Sequence, residues 1–117
     1  MKTYQEMMAA AKAHTREVTP RQVLEMQERG EPVVLVDIRE IQEVNAAKIP
    51  GSVHVPRSHL ESRIEAQVAR DANVVLYCAS GSRSVLSAET LQTMGYSTVA
   101  SMAGGIRAWA DAGGEVE

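Results

Sequence analysis

The stretch Val74-Val75-Leu76-Tyr77-Cys78-Ala79-Ser80-Gly81-Ser82-Arg83-Ser84 constrains the fold more than any other part of this 117-residue chain. Val74 to Tyr77 is a short, continuous apolar run rich in β-branched residues, the pattern of a strand covered on both faces. From Ser84 onward Val85, Ala88 and Leu91 recur at helical spacing, with Leu86 beside them, until Gly95 supplies a C-terminal stop. Between strand and helix lies a tight loop of small residues, with Gly81 free to take a positive φ.

The rest of the chain alternates in the same way. Tyr4, Met7, Met8 and Ala11 form one stripe of an N-terminal helix, expected to pack on the domain or else to offer a partner or dimer surface, so residues 1–14 read as an added amphipathic helix and residues 15–117 as the domain proper. Glu17-Val18 reads as a short strand. Thr19-Pro20-Arg21-Gln22 opens a helix with an N-cap threonine, an N1 proline and a capping-box glutamine; Gly30 ends it. Val33 to Ile38 is a central strand, Ile41 to Ala46 a short helix, Pro50-Gly51 a turn and Val53 to Val55 a brief strand. Ser58 and Glu61 read as a second capping box, opening a helix that turns Leu60, Ile64 and Val68 inward. After the Cys78 unit come a strand at Thr98 to Ser101 and a last helix from about Gly105, with Trp109 packing it onto the core. This order predicts an α/β fold with a central parallel sheet of about five strands and helices on both faces. Cys78 then lies at the carboxyl end of a strand, where open α/β sheets place their ligands.

Cys78 is the only cysteine. A lone cysteine is most often an inert buried hydrophobe, but this one sits where loop N–H groups converge and a helix N-terminus adds its positive field. Such surroundings, with a nearby cation, pull a thiol pKa well below its ordinary value of about 8.5. Cys78 is therefore the expected nucleophile. Arg83, at C-x4-R spacing, is expected to bind an anionic donor and favour the thiolate, because an arginine in a helix's first turn opposes the dipole and calls for a specific partner. Asp37 closes a hydrophobic strand and reads as an orienting partner for Arg39 or Arg83, or as turn chemistry at a strand end. His54 and His59 read as surface histidines. Cysteine and histidines show no metal-ligand spacing.

Four segments in order resemble the single-domain rhodaneses, sulfurtransferases that carry sulfur as a cysteine persulfide. They are the loop Cys78-Ala79-Ser80-Gly81-Ser82-Arg83-Ser84; Val34-Leu35-Val36-Asp37-Ile38-Arg39-Glu40; Ala46-Ala47-Lys48-Ile49-Pro50-Gly51-Ser52-Val53-His54-Val55-Pro56; and Gly104-Gly105-Ile106-Arg107-Ala108-Trp109-Ala110-Asp111-Ala112-Gly113. The resemblance runs from about Val18 to Gly113. Lys48 stands where the family usually has histidine, Arg57 follows Pro56 where an apolar residue is common, and Gly114-Glu115 replaces a proline. The resemblance implies a rhodanese-like fold and a sulfurtransferase in which Cys78 takes a sulfane sulfur from thiosulfate or a persulfide. Loop N–H groups from Ala79 to Ser84 then hold that sulfur, and a thiophile such as cyanide or a thiol removes it. No cofactor is implied. A small cysteine phosphatase or arsenate reductase is the alternative, disfavoured by a loop one residue shorter than the phosphatase C-x5-R. A non-catalytic rhodanese-like binding module is another, disfavoured by the intact cysteine loop.

Composition narrows the partners. A net charge of -3 without a basic stripe gives no footprint for nucleic acid. No apolar run has the length of a signal-peptide core or a membrane span. A single cysteine makes no internal disulfide, which points to a reducing cytoplasm. It also means that the persulfide must discharge onto an external thiol or sulfur-carrier protein. A monomer or weak homodimer is expected.

Overall fold

The strand that ends at Cys78 occupies the middle of a five-stranded, all-parallel sheet. The computed structural model describes residues 1–117. Its elements are α1 (Tyr4–His14), β1 (Arg16–Val18), α2 (Pro20–Glu28), β2 (Val34–Asp37), α3 (Ile41–Ala46), β3 (Val53–His54), a 3-10 turn (Arg57–His59), α4 (Leu60–Gln67), β4 (Asn73–Tyr77), α5 (Ser82–Thr93), β5 (Thr98–Met102) and α6 (Gly105–Asp111). The sheet order is β1-β5-β4-β2-β3.

Strand periodicity divides the core in two. Val74, Leu76 and Cys78 point to the face covered by α4 and α5, with Leu60, Ile64, Ala88, Leu91 and Val99. Val75 and Tyr77 point the other way, onto Val23 and Met26 of α2, Trp109 of α6, and Ala100 and Met102 of β5. Because both faces are covered, β4 carries an unbroken apolar run. Register places Asp37 of β2 beside Tyr77 and Ser101 of β5 beside Leu76, so both lie near the end of β4 that leads into the cysteine loop. No helix is long and apolar enough to cross a membrane.

Local signals account for most boundaries. At the start of α2 the Thr19 hydroxyl accepts the Gln22 N–H at 3.1 Å, and the Gln22 side chain accepts the Thr19 N–H at 2.8 Å. The expected Ser58–Glu61 box does not form. The His59 N–H instead reaches the Pro56 carbonyl at 2.8 Å, so the chain after Pro56 tightens into a 3-10 turn that takes up Ser58, and α4 starts at Leu60. The inward residues Leu60, Ile64 and Val68 are buried as expected.

The N-terminal stripe also differs from expectation. Met8 and Ala11 pack against Val85 of α5, while Tyr4 and Met7 stay exposed. A helix laid across one other helix, rather than a sheet, covers only a narrow line of side chains. At the other end of the chain, Glu117 and Lys48 exchange backbone hydrogen bonds at 2.9 and 3.0 Å. The connecting residues cross Trp109, whose Nε1–H donates to the Glu115 carbonyl at 2.8 Å. Gly114 presses so closely on the indole that a Cβ there would overlap it, which explains glycine at that departure from the family pattern.

Candidate active site around Cys78

The path from β4 to α5 is set by Gly81, whose φ of 103° is open to glycine but strained for other residues. Gly81 precedes α5, which begins at Ser82, two residues earlier than the apolar periodicity suggests. Ser82, Arg83 and Ser84 therefore belong to the helix's first turn rather than to the loop. The turn folds back so that the Gly81 N–H donates to Cys78 Sγ at 3.0 Å, and the Ser84 hydroxyl lies 3.6 Å from the sulfur. The loop is buttressed from behind by α6. The Ile106 and Arg107 N–H groups donate to the Cys78 and Ala79 carbonyls at 2.9 and 3.4 Å. Gly105 has a φ of 61°, and a Cβ on it would collide with the Cys78 carbonyl. The paired glycines Gly104 and Gly105 thus let a helix start seat directly on the cysteine loop.

Cys78 is 1% exposed. Burial is the largest single influence on its thiol and pushes the pKa up, but the Ser84 hydroxyl and the N–H groups of Ser84, Gly81 and Ser80 together outweigh it. The net shift is downward. The position of α5 adds its N-terminal field in the same direction.

Arg83 and Asp37 have separate partners. Arg83 makes a two-pronged ion pair with Glu43 of α3, Nη1 to Oε1 at 3.0 Å and Nη2 to Oε2 at 2.9 Å. The hydrogen bond from Arg83 draws the Glu43 carboxyl down to about 2, and Glu43 and the Cys78 sulfur both raise the Arg83 pKa. Asp37 pairs with Arg39, accepting its Nε at 3.0 Å, its Nη2 at 2.8 Å and its backbone N–H at 3.0 Å. Of the two arginines the sequence offers Asp37, the fold uses Arg39. Asp37 and Arg39 therefore brace the end of β2 and do not touch Cys78. His54 is half-buried, its Nε2–H donating to the Arg39 carbonyl at 2.7 Å, while His59 is exposed. Neither bonds to Cys78. Both line a separate groove of about 370 Å³ with Glu40 and Arg63. No three His, Cys, Asp or Glu side chains converge as a metal would need.

Two site residues escape the sequence reading. Glu43 lies 40 positions before Arg83, and nothing local marks it. Ser101 does leave a signal. On β5, Val99 and Ser101 share the face toward α5, and on α5, Ser84, Ala88 and Leu91 share one stripe. Each apolar line is broken once, by a serine at the end nearest Cys78, and the two hydroxyls meet at 2.7 Å.

The arrangement is a buried, easily ionised sulfur ringed by N–H and O–H donors, with a cation at its rim, which suits nucleophilic attack on an electrophilic sulfur or a compact anion. Residues 19–112 match the family described as Rhodanese-like domain. A sulfurtransferase of Allochromatium vinosum is 39% identical over 80 residues, covering 68% of this chain and 74% of that protein. The human thiosulfate:glutathione sulfurtransferase is 28% identical over 88 residues, covering 64% and 76%. A solved structure from Rhodopseudomonas palustris superposes with a TM-score of 0.90 at 36% identity, covering 100% of this chain and 96% of that one. It is described as a protein of unknown function and possible tyrosine phosphatase.

Proposed function

We propose that this chain, which belongs to the rhodanese-like domain family, moves a sulfane sulfur from a small anionic donor to a thiol through a persulfide on Cys78. The observation that carries this reading is the Cys78 sulfur held at 3.0 Å by the Gly81 N–H and faced by the Ser84 hydroxyl, with its pKa lowered despite burial. With thiosulfate as donor, the Cys78 thiolate attacks the outer sulfur, the sulfur–sulfur bond breaks, and its electron pair leaves with sulfite. The enzyme retains Cys78–S–S⁻. The N–H groups of Ala79 to Ser84 form the cradle for that terminal sulfur, fixed in place before the charge arrives. Arg83 at the rim draws the anion in by its charge, while its two prongs stay on Glu43. An external thiolate then attacks the terminal sulfur, takes it as its own persulfide and returns the Cys78 thiolate. These 117 residues hold no second cysteine to do so. The supporting-residue reading of Asp37 and Arg39 is that they fix the end of β2 beside the cysteine strand.

Phosphate-ester hydrolysis is the second reading, favoured by the description of the Rhodopseudomonas palustris neighbour. Against it stand the four-residue spacing from Cys78 to Arg83 and the commitment of both Arg83 prongs to Glu43. A phosphatase needs that fork for the substrate phosphate. One experiment decides between them. Intact mass measurement after thiosulfate treatment should show one added sulfur atom, removable by cyanide or dithiothreitol and absent in Cys78→Ser, with negligible aryl-phosphate hydrolysis by the untreated protein. An unchanged mass together with hydrolysis lost in Cys78→Ser would overturn the proposal in favour of the phosphatase.

A further inference from the structure

Ser84 and Ser101 are both completely buried, out of reach of bulk solvent. The Ser101 hydroxyl has one side-chain partner, Ser84 Oγ, at 2.7 Å. Ser84 Oγ has three neighbours within reach: Ser101 Oγ, the Gly81 carbonyl at 3.1 Å and Cys78 Sγ at 3.6 Å. Each hydroxyl carries one proton. If Ser84 gave its proton to Ser101, the Ser101 proton would be left buried with no acceptor, at the cost that attends any unmade buried hydrogen bond. The arrangement that satisfies every proton runs the other way. Ser101 donates to Ser84, and the Ser84 proton is left with two destinations, the Gly81 carbonyl or the sulfur.

Those two destinations match the two states of the cysteine. A neutral thiol accepts weakly, and the Ser84 proton then rests on the Gly81 carbonyl. When Cys78 loses its proton to solvent, the hydroxyl can turn onto the anionic sulfur. The turn gives up the Ser84 bond to the Gly81 carbonyl for one to an anionic acceptor, and a hydrogen bond to a charged group is about twice as strong as a neutral one. We propose that Ser101 is a positioning residue for the Cys78 thiolate, donating to Ser84 Oγ so that the one proton Ser84 holds is available to the sulfur. This rests on the reading of Cys78 as the nucleophile. Both serines are neutral throughout, and the charged groups facing the sulfur, Arg83 on α5 and Glu43 of α3 behind it, are untouched by changing Ser101.

The test is a titration of Cys78 in the absence of any sulfur donor, by thiolate ultraviolet absorbance and by alkylation rate against pH. Ser101→Ala should raise the Cys78 pKa by about half a unit to one unit, the worth of one neutral hydrogen bond, and slow alkylation about three- to tenfold below that pKa. Ser101→Thr, which keeps the oxygen, should titrate like the unchanged protein. In a Ser84→Ala background, Ser101→Ala should produce no further shift, because the effect passes through Ser84. Should Ser101→Ala fail to fold, Ser101→Val fills the space without a donor and carries the same comparison. A Cys78 titration unmoved by Ser101→Ala, or moved equally with and without Ser84, would overturn the proposal. Failure to load sulfur alongside the expected titration shifts would count against the sulfur-transfer reading alone.

Discussion

Two strands end side by side in this protein, and each ends in a buried polar group. β2 ends at Asp37 and β4 leads into Cys78, with Asp37 in register beside Tyr77. At the end of β2 the buried polar atoms are paired. The Asp37 carboxylate accepts from three donors of Arg39, its backbone N–H, Nε and Nη2; Nη2 also reaches the Ala47 carbonyl at 2.7 Å, and the guanidinium lies 5.7 Å from the Tyr77 ring centre. The Tyr77 hydroxyl donates in turn to Ser52 at 3.0 Å. At the end of β4 the donors surround a sulfur, a weak acceptor until it ionises. The closed cluster fixes backbone. The open one is a set of dipoles assembled ahead of a charge, which is how a site stabilises an intermediate without reorganising. Burial alone would not have told them apart, since Cys78 and Asp37 are equally hidden.

The difference is broken most decisively at the sulfur. Cys78→Ser should abolish sulfur loading and thiocyanate formation while leaving thermal stability close to that of the parent, because the change is nearly isosteric. Rates of thiocyanate release and a melting curve, measured on the same preparation, check both halves. Substantial residual turnover would mean that another group carries the sulfur.

The converse holds at β2. Asp37→Asn leaves the Arg39 guanidinium buried without its counter-charge, and breaking such a pair typically costs about 3–5 kcal/mol. Denaturant unfolding should show that loss, a large share of the 5–15 kcal/mol of a typical domain. The alkylation pKa of Cys78 should stay in place in whatever fraction remains folded. A shift in that pKa without loss of stability would make Asp37 part of the reacting machinery rather than of the frame.

How far this contrast was legible beforehand depends on the range over which each signal acts. The strand-to-helix turn at Cys78 is written in neighbouring residues, as is the α2 capping box; the box appears as read, and the turn appears with its helix starting two residues early, at Ser82. The Asp37–Arg39 pair spans two positions, so the sequence could propose it but could not choose between Arg39 and Arg83. Glu43 and Arg83 come together only when α3 folds over the start of α5, and no local pattern encodes that. Ser58 failed as a cap because the 3-10 turn closed by the His59 N–H on the Pro56 carbonyl takes it up. Tyr4 and Met7 failed as core because helical periodicity marks a face without saying how wide a surface will cover it.

Arg83 lies between the two regimes, paired like Arg39 but standing at the rim of the sulfur site. Arg83→Ala should weaken use of thiosulfate by about 1–3 kcal/mol, the loss typical of a charge-assisted contact. The effect should fall on KM more than on the cyanide step, which steady-state kinetics with each substrate varied in turn would resolve. Kinetics indistinguishable from the parent would return Arg83 to the frame, as a tether between α3 and α5.

Glu43 gives the smallest and sharpest test of that division. Its carboxyl is drawn from an ordinary 4.5 to about 2, chiefly by the Arg83 hydrogen bond. A carboxyl whose folded pKa is depressed stabilises the fold above its unfolded pKa and loses that contribution as pH falls through the folded one. The stability difference between the parent and Glu43→Gln should therefore be full above about pH 4.5 and vanish toward pH 2. With both side chains about one-third exposed, screening limits it to about 0.5–1 kcal/mol. The same substitution leaves Arg83 with its charge no longer neutralised. If Glu43 tempers the anion site, the KM for thiosulfate should fall about two- to fivefold at neutral pH, the same energy expressed as affinity. A KM that rises instead would show that Glu43 holds Arg83 in its working position, so that the pair is a piece of closed frame lent to the open site.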